Sequence, residues 1–108
     1  MAASRLALDT FLRTSLPGVT LYYDPPENTY MNYPCLVYSL NAIPTDVTYA
    51  DNIRYLTVAG LDEYSVTYIT NDPDDDNIWD LVRVCGAEFR RSACIDGLWH
   101  YYYYISYT

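Results

Sequence analysis

Tyr64-Ser65-Val66-Thr67-Tyr68-Ile69-Thr70 decides the reading of this chain. Tyr64, Val66, Tyr68 and Thr70 fall on one side of an extended backbone, and Ser65, Thr67 and Ile69 on the other. That period-two alternation marks a strand. Downstream, residues 71–76 form a turn with four aspartates, which leads into a helix over 77 to about 85. Ile78, Leu81, Val82 and Cys85 make its apolar stripe, Trp79 flanks it, and the acids oppose the positive end of its dipole. Gly86 stops it. Residues 88–95 and 98–107 then flank Asp96-Gly97, a strong hairpin signal. In the last strand Trp99, Tyr101, Tyr103, Ile105 and Tyr107 face one way, and His100, Tyr102, Tyr104 and Ser106 the other. One face is expected to meet the helices and the other a neighbouring subunit.

Upstream, residues 43–62 carry Pro44, Asp51-Asn52 and Gly60 between pieces of strand type, and read as a long projecting hairpin or extended loop. Residues 35–40, entered from Pro34, suit a buried strand. Residues 27–33 read as a loop and 19–23 as a short strand closed by Asp24-Pro25-Pro26. Residues 4–16 place Leu8, Phe11, Leu12 and Leu16 on one helical face, with Leu6 nearby, Ser4 as N-cap and Pro17-Gly18 as the stop. The order is helix, strands, helix, hairpin. It predicts an α+β fold over a single domain, 1–108, with two helices packed on one face of a small, mostly antiparallel sheet.

Composition narrows the function. Fourteen acids against six bases give a net charge of −8, and the bases are all arginine. Nucleic-acid binders need a cationic surface to replace counterions along the phosphates, and anionic membranes ask for the same, so both are disfavoured. No apolar run approaches the ~18–20 residues of a membrane span, and no signal peptide is apparent. Without lysine there is no Schiff-base chemistry and no P-loop lysine. Fourteen tyrosines point instead to protein interfaces, above all Tyr30, Tyr33, Tyr49 and Tyr55 in loops.

The residue patterns for catalysis and metals fail. Cys35, Cys85 and Cys94 are odd in number, lack CxxC spacing and read as small core residues in a reducing compartment. A calcium loop starting at Asp72 would use Asp74 and Asp76, but Asn77 stands where glycine is needed and Arg83 where glutamate is. The aspartates therefore read as a solvated turn capping the second helix. His100, the one histidine, lies in the tyrosine-rich strand without a nucleophile elbow nearby. No catalytic residue, metal ligand or cofactor is expected.

Four segments carry a resemblance. Tyr33-Pro34-Cys35-Leu36-Val37-Tyr38 resembles the YPCIVY strand of small proteins encoded in the head–tail morphogenesis region of long-tailed bacteriophages. Thr48-Tyr49-Ala50-Asp51-Asn52-Ile53-Arg54-Tyr55 is similar to their TxYADNxxY segment. Tyr64-Ser65-Val66-Thr67-Tyr68-Ile69 with Asp72-Pro73-Asp74 resembles YxVTxIDxDPDS. Phe89-Arg90-Arg91 through Trp99-His100-Tyr101 resembles the family's closing hairpin. Order and spacing hold from about residue 30 to the end of the sequence. The family's lysine-rich segment is here Thr57-Val58-Ala59-Gly60-Leu61-Asp62-Glu63, a departure that suggests a different partner at that edge.

The chain thus resembles tail-terminator proteins. That resemblance implies a virion protein of the tail neck, assembled in the host cytoplasm, whose hexameric ring ends the tail tube. Its partners would be the tail tube protein and the head-proximal connector, and DNA would pass through an acidic lumen without specific binding. Another neck protein, a head-closure or adaptor subunit, is the structural alternative, and a small metal-dependent or cysteine enzyme the alternative of another class. Tyr49, Asp51, Asn52, Arg54 and Tyr55, with Tyr102 and Tyr104, are the expected subunit-interface residues.

Overall fold

The computed structural model describes residues 2–42 and 62–107. They form α1 (Ala2–Ser15), β1 (Thr20–Tyr23), β2 (Cys35–Ala42), β3 (Asp62–Thr70), α2 (Asn77–Arg83), β4 (Glu88–Ile95) and β5 (Leu98–Tyr107). One sheet runs β1-β2-β3-β5-β4. β1 lies parallel to β2, and every other pair is antiparallel. The fold is α+β, with two helices and a five-stranded, mostly antiparallel sheet among the described residues.

β3 sits at the centre because its alternation offers both neighbours a complementary row. Val66 stands opposite Tyr38 of β2 and Tyr103 of β5, and Tyr68 opposite Leu36 and Tyr101. These side chains share one face, together with Leu21, Tyr64 and Ile105, and they pack with Leu8 and Leu12 of α1, with Leu16 just after it, and with Ile78 and Leu81 of α2, followed by Cys85. Two tyrosine hydroxyls tie the helices down. Tyr38 Oη donates to Asp9 Oδ2 at 2.6 Å, and Tyr103 Oη donates to the Ile78 carbonyl at 2.7 Å. Both helices therefore cover the same face of the sheet. The β4–β5 turn places Asp96 (φ 53°) and Gly97 (φ 80°) in the left-handed region, as a two-residue hairpin loop of matching twist requires.

The structure corrects several local expectations. α1 begins at Ala2, so Ser4 lies inside the helix and is not its cap. Leu6 is exposed. α2 ends at Arg83, and Val82 reaches solvent, because a two-turn helix buries only the narrow stripe of Ile78 and Leu81. Cys35 and Cys85 are buried as expected, but Cys94 lies exposed near the end of an edge strand. Asp62 belongs to β3, while residues 43–61, where the projecting hairpin or loop is expected, lie outside the described residues. No helix among the described residues is long and apolar enough to cross a membrane.

Candidate functional site

The face of the sheet turned away from the helices is the candidate site. Register places Val37 and Ser39 of β2, Ser65 and Thr67 of β3, and His100, Tyr102 and Tyr104 of β5 on it. All are half-buried although neither α1 nor α2 lies over them. One end is roofed by the connection from β1 to β2. There the Asn32 N–H donates to Tyr22 Oη at 3.0 Å, Met31 Sδ lies 4.0 Å from Cys35 Sγ, and Cys35 and Ile69 are buried.

The open part is bounded by β4, an edge strand exposed along nearly all its length. Its register slips between Phe89 and Arg91, so that Arg90 is an extra residue without a partner on β5. A bulge of this kind re-aims side chains that strict alternation would send to opposite faces. Here Arg90 and Arg91 both come over the tyrosine row. The Arg91 guanidinium carbon lies 4.2 Å from the Tyr102 ring centroid, and that of Arg90 5.0 Å from Tyr104. Such stacking over a ring face is favourable by ~0.5–1 kcal/mol at exposed positions. His100 continues the row, its ring 6.3 Å from Tyr102. A concavity of about 200 Å³ opens among Ser65, Thr67, Arg90, Arg91, Tyr102 and Tyr104. Arg90 also pairs with Glu88 at 2.9 Å, and Glu63 stands on the same face opposite Ser106. Arg91 has no carboxylate partner among the described residues.

A second open surface lies on the helix side. Ile78, Trp79, Val82, Phe89, Tyr101 and Tyr103 line an apolar groove of about 220 Å³ between α2 and the β4–β5 hairpin. Trp79, Val82 and Phe89 are exposed there, and the Phe89 ring meets Tyr103 edge-on at 5.7 Å.

The expected interface residues divide. Tyr102 and Tyr104 lie on the open face, next to one another and stacked by arginine. Tyr49, Asp51, Asn52, Arg54 and Tyr55 lie outside the described residues. Arg90, Arg91, Trp79 and Phe89 were not among the expected residues. Their signal in the sequence is the Phe-Arg-Arg run, which breaks period two within a strand, and the placement of Trp79 beside the helix stripe instead of on it.

The aspartate turn is not merely solvated. Asp75 Oδ1 accepts the Asn77 N–H at 2.9 Å, and Oδ2 accepts both the Tyr68 hydroxyl and the Thr70 hydroxyl, the latter at 3.2 Å. Thr70 Oγ1 accepts the Asp72 N–H in turn, at 3.1 Å. Asp75 thus satisfies two side chains that are otherwise buried, while Asp72, Asp74 and Asp76 are exposed. Burial, and then the bond to Asp75, pushes the Tyr68 phenol above its ordinary range; burial and the bond to Asp9 do the same to Tyr38. Burial raises the Cys35 thiol to about 11. That opposes thiolate formation, which a cysteine nucleophile needs. Among the described residues no three His, Cys, Asp or Glu side chains gather as a metal would require. Compared with family models, with curated proteins and with solved structures, the chain gives no match.

Proposed function

We propose that this chain is a structural subunit of a bacteriophage tail, of the tail-terminator kind, working as a ring of identical copies that ends the tail tube and joins it to the head-side connector. The observation that carries the assembly role is the half-covered sheet. Among the described residues an aromatic face, an edge strand and an apolar groove stay open, and open surfaces of this composition are where partners bind. The phage assignment rests on the four ordered segments. Two of them supply β2 and β3 and one supplies the β4–β5 hairpin, so the resemblance runs through the framework of the sheet. The acidic charge suits a lumen that DNA must cross without adhering.

Native mass measurement of the purified protein, joined to electron microscopy of the particle neck, tests the reading. A sixfold ring seated on the last layer of tube subunits is the expected result. A ring in the neck that does not touch the tube would reassign the chain to the head-closure or adaptor proteins. A monomer absent from the particle would overturn the structural role.

A further inference from the structure

We infer that the open tyrosine–arginine face of one copy receives the acidic end of a second copy, in a head-to-tail contact. The inference rests on the ring reading above and names the surfaces that would build it.

The two surfaces are complementary and lie apart. At one end of the sheet, Asp72, Asp74 and Asp76 follow β3 and Asp96 tips the β4–β5 hairpin, beside the Thr70–Trp99 pair. All four carboxylates are exposed, and no cation among the described residues pairs with them. Among the described residues, Asp75 is the one acid of that turn whose carboxylate meets buried side chains. The described arginines that do have carboxylate partners, Arg13, Arg83 and Arg90, meet them within their own elements. Arg91 is left to stack on Tyr102 with its charge uncompensated, beside the hydroxyls of Ser65 and Thr67.

Among the described residues, one copy does not satisfy itself. Arg91 and Asp96 are five residues apart on an extended strand, about 16 Å at the usual rise. The aspartate turn lies on the helix side of the sheet, since Asp75 meets Tyr68 there, while Arg91 lies on the other side. A second copy has no such restriction. Its acidic end brings carboxylates to a guanidinium already held over an aromatic ring, from which arginine can fork onto a carboxylate. Because donor and acceptor surfaces differ, the contact is heterologous, and heterologous contacts close into rings when the rotation per copy allows.

The test is a charge swap. Arg90→Glu/Arg91→Glu and Asp74→Arg/Asp76→Arg are made separately and sedimented beside the wild type. All four positions are exposed, and the Asp76 side chain makes no capping hydrogen bond to α2, so folding is expected to persist. Arg91→Gln and Asp74→Asn, which remove charge without reversing it, serve if a reversal disturbs folding. Each reversed variant alone should associate at least about tenfold more weakly than wild type, with the difference shrinking at high salt. An equimolar mixture should reassemble with the two variants alternating, and so only into even-numbered rings. Variants that assemble like wild type, or a mixture that stays dissociated, would overturn this contact and leave the ring standing. A wild-type chain that never associates would remove the ring reading itself.

Discussion

Asp74, Asp75 and Asp76 are chemically identical and adjacent, yet the structure gives only the middle one a structural duty. Replacing Asp75 with Ala removes an acceptor that takes three hydrogen bonds: the Tyr68 hydroxyl, the Thr70 hydroxyl and the Asn77 N–H. Tyr68 is 0% exposed and Thr70 1%, so water does not replace the lost partner. Tyr68 Oη keeps the Asn77 amide, which donates to it at 3.2 Å, and the Thr70 hydroxyl beside it, but loses the charged acceptor of its own proton. Hydrogen bonds to a charged group contribute ~1.5–3 kcal/mol each, and a buried donor left unsatisfied costs ~1–3 kcal/mol. Because the three bonds share one carboxylate, they are not additive, and the expected loss is about 2–4 kcal/mol. Asp74→Ala and Asp76→Ala touch exposed side chains and should stay within about 0.5 kcal/mol of wild type. Urea unfolding followed by circular dichroism, at a concentration low enough to keep the chain monomeric, measures all three without a contribution from assembly. Three variants of equal stability would refute the duty assigned to Asp75. So would an Asp75 variant whose loss is recovered by Asp75→Ala/Thr70→Val alone, since that would leave Tyr68 irrelevant.

Tyr103→Ala should cost ~3–5 kcal/mol, because its ring is buried at the junction of β5 and α2, and Tyr103→Phe about 1 kcal/mol for the bond to the Ile78 carbonyl. Trp99→Ala should cost less than Tyr103→Ala, since Trp99 is only half-buried; thermal unfolding ranks the two. Tyr38, Tyr68 and Tyr103 keep their protons in the fold at pH values where the unfolded chain loses them, burial being the largest cause in each. Their stabilisation is therefore complete below the unfolded phenol value of ~10 and is lost as pH rises above it, so the urea midpoint should fall between about pH 9 and pH 11. A flat midpoint across that interval would contradict the burial of these phenols. A thiol reagent should label Cys94 at once and reach Cys35 and Cys85 only on unfolding; equal rates for all three would mean that the core opens freely.

Residue period carried most of this architecture. β3 and the closing hairpin are legible because alternation over many residues leaves one extended register open, and Asp96-Gly97 supplies the turn. α1 is legible from Leu8, Leu12 and Leu16, all fully buried. The pairing of β1 alongside β2 is not, since four residues of strand type do not say which neighbour they join or in which direction. The exposure of Val82 is not legible either, since the stripe that a two-turn helix buries depends on how far the sheet reaches beneath it, which residue period does not state. Asp75 differs from its neighbours only through Tyr68 and Thr70, contacts that depend on the fold. At the candidate site, Tyr102 and Tyr104 followed from alternation, whereas Arg90 and Arg91 did not, because a bulge is the one local event that alternation does not describe.

That bulge has a consequence for the chain as a crowd of copies. A sheet edge with free backbone groups is a template on which further strands add without limit, and the product is a fibril. Here one outer edge, β1, is only four residues long, and the other, β4, is kinked at Arg90 and carries Glu88, Arg90 and Arg91 along its bend. Among the described residues neither of these two strands offers a long, flat, uncharged ladder. Copies that assemble as proposed would therefore meet through side chains, whose shape and charge permit a definite number of neighbours, and not through backbone ladders, which do not count.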